Sequence, residues 1–281
     1  MCLILFALDA HPAYKLVLAA NRDEFIQRPA HVAHFWHYYP NVLGGLDLEA
    51  GGTWLGITKG GRFTALTNVR DLSNISPDAP SRGELTHKFL THPQLPMHDF
   101  AALLERKGTQ YNGFNILWGD FAGEQTDLFW YSNYTSEQYN RTANKISSGI
   151  HGLSNALLDT PWFKVEHGKA RLQAALEETS DPASLTSALL EMLKDRTRPD
   201  DSRLPSTGVS LEWERMLSSM FIESPDKKYG TRCSTVVLIT HTNEVYFTEE
   251  RFTPAFLGSE LQNGSNASFS TKFDIEAINR S

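Results

Sequence analysis

The chain has 281 residues, of which 41% are apolar and 21% are charged, a balance that argues against wholesale disorder and allows a substantial core. The formal net charge of -7 argues against a nucleic-acid-binding protein, because such proteins usually carry a basic surface. It does not exclude an anionic ligand held in a basic pocket, since the charge of a pocket is a local property.

The start of the chain and its cysteines favour a cytoplasmic protein. No apolar run reaches the roughly 18 residues that a membrane-spanning helix needs. The apolar segment 2–8 has no basic segment before it and is too short for a secretory signal, so we interpret it as a strand. Two cysteines, Cys2 and Cys233, are too few for a disulfide scaffold, and we expect a reducing compartment.

Short apolar or β-branched runs bounded by turn residues predict strands, and the first two runs suit strands buried on both faces. A glycine pair at 60–61 lies between two such runs and favours a hairpin turn. Earlier glycine pairs at 44–45 and 51–52 are typical of a loop. Strands are expected at residues 2–8, 15–20, 53–58, 62–68, 113–118, 126–131, 231–240 and 244–248, with a short one near 145–148.

Helices are indicated between these groups of strands. Leu103 and Leu104 follow Phe100 at the spacing of a helix face. The clearest helix follows Asp181, which can cap free N–H groups, and its apolar face continues to Leu193. Helices are therefore expected near 100–104, at 161–178 and at 181–193.

The order of these elements lacks the regular alternation of a parallel doubly wound sheet. It is accommodated by an α+β layered sandwich, with two mainly antiparallel sheets inside and helices outside. We expect one domain over residues 1–257. A polar, loosely ordered tail rich in Gly, Ser and Asn is expected over residues 258–281.

Cys2 carries the strongest chemical signal because it follows the initiator methionine. A cysteine in a strand is more often an inert buried side chain. Cells remove Met1 when the next residue is small, and the new terminus would carry a thiol and an α-amine. The amine titrates at about 7.7–8.0 and the thiol at about 8.5. One residue could thus supply both nucleophile and base, which is the N-terminal-nucleophile arrangement.

The polar run 21–24 follows the second strand, where that strand should pair with the strand that begins at Cys2. Such a charge run is usually a solvated turn. At this position, however, Arg22 could lower the pKa of the thiol, and Asp23 could hold the α-amine.

Three further polar residues end or begin strand-like or turn-like runs. Asn68 and Asn155 are ordinary turn residues by default, but their amides could donate to a developing oxyanion. Arg232 is either a surface residue or a group that reaches an anion. No metal site is predicted, because the ten histidines show no zinc spacing.

Several separated motifs, in order from residue 1 to about residue 250, resemble one known family. The chain resembles the NRDE family, also called the transport and Golgi organisation 2 family. This resemblance implies a fold similar to that of N-terminal-nucleophile hydrolases, a four-layer αββα sandwich. The motifs are Met1-Cys2, residues 18–25 (LAANRDEF) with Arg28-Pro29, residues 51–56 (GGTWLG), residues 65–68 (ALTN) and residues 152–155 (GLSN).

The catalytic pattern is most similar to the cysteine branch of those hydrolases, which includes penicillin V acylase and bile salt hydrolase. That similarity implies catalytic roles for six residues. They are Cys2 as nucleophile and base, Arg22 and Asp23, which are adjacent here rather than separated, Asn68 and Asn155 on the oxyanion side, and Arg232 on a late strand.

The family resemblance implies a function in haem trafficking and, less directly, in lipid and acyl-CoA metabolism. We therefore expect a haem-binding protein whose small-molecule cargo is held by Cys2, Arg22 and Arg232. The alternative is an N-terminal-cysteine amidohydrolase that cleaves a linear C–N bond, or an acyl thioester, of a small acylated molecule and requires no cofactor. A non-catalytic protein that retains the fold is the third possibility.

Overall fold

The computed structural model describes residues 2–123, 125–136, 139–179, 181–252 and 267–276. Within these ranges the chain forms two antiparallel sheets and five α-helices. The helices are α1 (Gly83–Thr91), α2 (Met97–Lys107), α3 (Phe163–Glu178), α4 (Pro182–Leu193) and α5 (Leu211–Leu217). The strands are β1 (Cys2–His11), β2 (Tyr14–Phe25), β3 (Ala30–Phe35), β4 (Val42–Asp47), β5 (Leu55–Thr58), β6 (Arg62–Asn68), β7 (Phe114–Asp120), β8 (Asp127–Ser132), β9 (Asn144–Lys145), β10 (Gly149–Leu153), β11 (Tyr229–Thr240), β12 (Glu244–Arg251) and β13 (Ala267–Asp274).

The first sheet has the strand order β10-β1-β2-β11-β12-β13, and the second has the order β3-β4-β5-β6-β7-β8-β9. Neighbouring strands in both sheets are antiparallel. The strands predicted from apolar runs are confirmed as β1, β2, β5, β6, β7, β8, β11 and β12. None of the helices in the described part of the chain combines the length and hydropathy that a bilayer-spanning helix requires.

The apolar residues of β1 explain how the layers form. Successive side chains of a strand point to opposite faces. Ile4 and Phe6 join the core between the two sheets, while Leu3 and Leu5 join a core under α3 and α4. A third core lies between the second sheet and helices α1 and α2. The predicted α+β fold and its αββα layering are therefore confirmed.

The helix predicted after Asp181 is confirmed as α4. The Asp181 side chain accepts hydrogen bonds from the backbone N–H groups of Ala183 and Ser184, as a capping residue does. The segment predicted at 161–178 is α3, which lies beside α4 against the first sheet. These two helices cover the face of β1 and β2 that points away from the second sheet.

The loop predicted around the glycine pair at 44–45 is wrong, because Gly44 and Gly45 lie inside β4. A Cβ atom at Gly44 would lie 2.7 Å from the carbonyl oxygen of Leu55. A Cβ atom at Gly45 would lie 2.1 Å from the ring of Trp54. Glycine in this strand thus provides space for neighbouring groups. Glycine inside a strand often marks a place where another group approaches the backbone closely.

The expectation of loose order after residue 257 does not hold for residues 267–274, which form β13 and pair with β12. Phe269 and Phe273 pack against the core between the sheets, while Ser268 and Ser270 are exposed. This alternation of inward apolar and outward polar side chains favours a strand. The polar average composition of the segment hid that pattern from the sequence-based prediction. The predicted domain limit at 257 lies outside the described residues and stays a prediction.

Replacement of Phe273 by alanine tests whether β13 belongs to the folded unit. The Phe273 ring lies 5.6 Å from the Phe35 ring of β3, so it joins the two sheets. We expect Phe273→Ala to lower the free energy of unfolding by about 2 kcal/mol, less than a fully buried phenylalanine would. Urea denaturation measures the change, and Ser268→Ala, at an exposed position of the same strand, is the control. Equal, small changes in both variants would show that β13 contributes nothing.

Candidate active site

Cys2 and Arg22 stand directly opposite each other on β1 and β2. Directly opposite residues of antiparallel strands lie on the same face. The next pair on that face, Ile4 and Ala20, belongs to the core between the sheets. The side chains of Cys2 and Arg22 therefore point toward the second sheet, at one end of the sandwich.

The polar run 21–24 is part of β2 rather than a solvated turn. Asn21 points to the opposite layer, where its amide donates to the carbonyl oxygens of Leu193 and Met220, both at 2.9 Å. Its side-chain oxygen accepts a hydrogen bond of 2.6 Å from the Ser234 hydroxyl. These hydrogen bonds explain how the polar side chain of Asn21 is buried. The predicted pairing of this run with the strand that begins at Cys2 is confirmed.

Asp23 is 1% exposed and lies on the wall of the cavity around Cys2. Its carboxylate accepts a 2.8 Å hydrogen bond from the Thr231 hydroxyl on β11. The pairing of β2 with β11 shifts register just after Thr231, and such irregularities re-aim side chains. Burial raises the pKa of Asp23, while the Lys164 ammonium, the Thr231 hydrogen bond and the Arg22 charge oppose that shift.

Cys2 is 9% exposed as a residue, and burial raises the pKa of its thiol. The Asp23 carboxylate acts in the same direction, whereas the Arg22 guanidinium and the backbone N–H of Asp23 lower the pKa. The net result is a protonated thiol near neutral pH, which needs a base to become a nucleophile. No histidine among the described residues lines this cavity.

The cavity around Cys2 has a volume of about 110 Å³ and a largely polar lining. Arg22 forms one wall, with its guanidinium 4.5 Å from the centre of the Trp54 ring, a cation–π contact. The same guanidinium lies 3.5 Å from the Asp47 carboxylate, which Arg28 also contacts at 2.7 Å. The space left by Gly45 thus holds Trp54 over the arginine that faces Cys2.

Asn68 and Asn155 occupy different positions relative to the cavity. The Asn155 amide donates to the backbone oxygen of Asn68 at 2.9 Å, and Ser154 donates to the backbone oxygen of Cys2 at 3.2 Å. Asn155 therefore joins the chain after β10 to the end of β6. Asn68 lines the cavity, and no hydrogen bond links its side-chain amide to another described residue, so that amide can donate to a ligand.

Arg232 lies behind the cavity rather than on its wall. Its guanidinium donates to the backbone oxygens of Phe25 at 2.7 Å and Arg28 at 3.0 Å. Burial and the nearby Arg22 charge lower its pKa to about 10. The structure thus gives Arg232 a role in holding the chain after β2, and its catalytic role stays a prediction.

The structure brings four of the six predicted residues together on the cavity wall, namely Cys2, Arg22, Asp23 and Asn68. It also adds residues that sequence reasoning missed. Trp54 and Arg28 belong to motifs quoted for the family resemblance, so a signal existed. Asp47 and Arg82 had none, because each lies in an unremarkable segment and reaches the cavity only through the tertiary fold. The missed residues on the wall include Arg28, Asp47, Trp54 and Arg82.

A haem bound through Cys2 does not fit this cavity. Its volume of about 110 Å³ is well below the roughly 300 Å³ at which pockets for drug-sized ligands begin. Arg232, which was expected to hold a haem carboxylate, is engaged by backbone oxygens. Haem as cargo elsewhere on the chain stays a prediction.

Asp159 fixes the loop that carries Asn155. Its carboxylate contacts the His151 ring at 2.7 Å and accepts hydrogen bonds of 2.9 Å from Lys169 and from the backbone N–H of Gly152. Although burial opposes it, these contacts lower the pKa of Asp159 to about 2. The ionised carboxylate is therefore favoured in the folded state.

Substitution of Asp159 tests this clamp. The folded-state pKa is depressed, so the stabilisation is present above the unfolded pKa of about 3.9 and is lost as the pH falls toward the folded value. We expect Asp159→Asn to lower the free energy of unfolding by about 1–2 kcal/mol near neutral pH, with a shrinking difference below about pH 4. Urea unfolding across this range measures it. Asp127→Asn, in the exposed pair with Lys145, is the control, and equal losses in both would contradict the clamp.

Residues 1–254 match the family described as Transport and Golgi organisation 2. The Bos taurus Transport and Golgi organization protein 2 homolog is 38% identical over 276 residues, which cover 92% of this chain and 95% of the relative. The Homo sapiens homolog is 35% identical over 263 residues, covering 89% and 92%.

Similarity to solved structures is weaker. A Caenorhabditis elegans ortholog of N-acylethanolamine-hydrolyzing acid amidase has a TM-score of 0.38 and 12% identity, covering 84% of this chain and 92% of its own. A mutant conjugated bile acid hydrolase from Clostridium perfringens has a TM-score of 0.37 and 10% identity, covering 99% and 98%. Both TM-scores are low, so the roles assigned to the site residues depend only on the contacts of this chain. From the match over residues 1–254 and the identities with curated relatives, the chain belongs to the transport and Golgi organisation 2 family.

Proposed function

We propose that this chain is an N-terminal-cysteine amidohydrolase that cleaves a linear C–N bond of a small acylated molecule. The observation that supports the proposal is the setting of Cys2, which lies on a cavity wall with Arg22 and Asp23 and has a thiol whose pKa is raised by burial. Such a thiol needs a base in direct reach. Removal of Met1 would supply that base as the α-amine of Cys2 itself.

The reaction proceeds in two stages at this residue. The α-amine accepts the thiol proton, the sulfur attacks the amide carbonyl carbon, and the carbonyl π electrons move to oxygen as the C–S bond forms. When the oxyanion collapses, the C–N bond breaks and the leaving amine takes the proton from the α-ammonium. Water then attacks the thioester carbonyl carbon and gives a proton to the α-amine. When this second oxyanion collapses, the C–S bond breaks, the carboxylic acid leaves, and the sulfur takes the proton back from the α-ammonium.

The described side chains have matching roles in this proposal. Asp23 holds the α-amine and stabilises its protonated form between the two proton transfers. Asn68 donates its side-chain amide to the oxyanion, a contribution that is worth about 10²–10³ in kcat in other enzymes. Asn155 positions Asn68 by donating a hydrogen bond to the Asn68 backbone oxygen. The Arg22 charge favours the thiolate of Cys2 over the thiol.

Haem as cargo is the second candidate, supported by a different cavity. A groove of about 670 Å³ adjoins the Cys2 cavity, and its volume lies in the range of sites for drug-sized ligands. Arg82 on its wall could pair with a haem carboxylate, and no bond to Cys2 would be needed. A haemin titration that gives the same saturable Soret band for wild type and Cys2→Ala is the expected result for this candidate, and the absence of a saturable band would contradict it.

We propose the cytoplasm as the compartment. Cys2 and Cys233 are both buried free thiols, and reactive thiols persist where the surroundings are reducing. The proposed mechanism needs a reduced Cys2 at each turnover.

Cys2→Ala and Cys233→Ala form a matched pair that tests the amidohydrolase. We expect protein with Met1 removed to hydrolyse some member of a panel of N-acyl amides and to gain the mass of one acyl group. Cys2→Ala should lose about 10³-fold or more in rate and gain no acyl mass, because the nucleophilic sulfur is lost although the α-amine of residue 2 remains. Cys233→Ala should retain both.

Two results would count against the proposal. One is hydrolysis of the same amide by Cys2→Ala at the wild-type rate. The other is undiminished hydrolysis by protein whose intact mass shows that Met1 is retained, because the proposed base would then be absent.

A further inference from the structure

A second, larger space lies beside the Cys2 cavity. This groove, of about 670 Å³, is lined by the chain after β6, by residues 112–113 and by the chain before and within α5. Asn68 and Arg82 line both the Cys2 cavity and the groove. A ligand whose reacting bond lies at Asn68 could therefore extend in both directions.

The groove is bordered by exposed apolar side chains. Leu72 is 50% exposed, Ile75 is 58% exposed and Trp213 is 38% exposed, and all three line the groove. A single exposed apolar residue is normal on a protein surface, but several around one concave space indicate a binding site for an apolar group.

Arg82 differs from the other arginines of the site. Arg22 and Arg28 both contact the Asp47 carboxylate. Arg82 donates to the backbone oxygen of Gly113 at 3.0 Å, and no described carboxylate lies within ion-pair distance of it. Burial lowers its pKa, and the Cys2 and Glu24 charges oppose that change. A partly desolvated guanidinium without a carboxylate partner favours a ligand that brings an anion.

We propose that the substrate is an N-acyl amino acid, with its acyl chain in the groove of Leu72, Ile75 and Trp213 and its carboxylate at Arg82. The amide of such a molecule lies one carbon atom from the carboxylate, which suits a site where Asn68 and Arg82 share the junction of two cavities. The small volume beside Cys2 admits a small amino acid as the leaving amine. The cleaved bond rests on the proposed function, whereas the binding does not.

Binding to Cys2→Ala protein tests the substrate class without any turnover. Three probes are titrated by calorimetry: N-dodecanoylglycine, its neutral analogue N-dodecanoylglycinamide, and N-acetylglycine. We expect the carboxylate to bind about tenfold more tightly than the neutral amide, because it forms a charge-assisted hydrogen bond. In a series of shorter acyl chains, we expect about a fourfold loss of affinity for each buried methylene removed.

Two pairs of variants, each made in the Cys2→Ala background, assign these preferences to residues. Arg82→Gln should abolish the preference for the carboxylate, and a circular dichroism spectrum that matches that of the Cys2→Ala parent shows that the variant is folded. The control Arg106→Gln, at an exposed position of α2, should keep the preference. Ile75→Gln should weaken both dodecanoyl probes equally, whereas Leu48→Gln, at another exposed apolar position, should weaken neither.

The outcomes separate the two proposals. Equal affinity for the carboxylate and the neutral amide, or an unchanged preference in Arg82→Gln, would overturn the assignment of Arg82. Affinity that is independent of chain length would overturn the assignment of the groove. Selective binding without hydrolysis by protein that retains Cys2 and lacks Met1 would remove the amidohydrolase proposal and leave the binding proposal supported.

Discussion

The antiparallel register of β1 against β2 determines the position of every group around Cys2. It sets Cys2 opposite Arg22 on the face toward the second sheet and turns Asn21 toward the helices. The apolar residues that follow are buried on both faces and hold this register. A slip by one residue would place the Arg22 charge in the helix-facing core, and that cost specifies a single pairing.

At the end of the sandwich that holds Cys2, polar contacts join the two sheets beyond the apolar core. Asn155 and Ser154 bind the backbone of Asn68 and Cys2, which lie on different sheets. On the other side of the cavity, Asp47 of the second sheet contacts Arg22 of the first. Buried polar groups are stable only when they are hydrogen-bonded. This network therefore stabilises the polar groups beside the cavity and limits how far the cavity walls can move.

The sequence was sufficient to predict the strands whose apolar runs are buried on both faces, and position two drew attention to Cys2. It was misleading at Gly44 and Gly45, where glycine makes room for the Trp54 ring inside a strand rather than forming a loop. It gave no signal for Arg82, because the meaning of that residue comes from two cavities that meet beside it. Arg232 shows the converse, since an arginine at the start of an apolar strand serves the backbone after β2.

The position of β13 affects how readily the first sheet can pair with strands of other chains. This strand covers the open hydrogen-bonding edge of β12 along its whole length, from Glu244 to Arg251. Uncovered edge strands pair readily with other chains, and β12 carries Val245 and Phe247 on its inner face. A chain that ends before residue 267 would therefore leave the backbone N–H and C=O groups of this edge free to pair with another chain. β13, although polar in composition, thus protects the first sheet, which begins with Cys2, against aggregation.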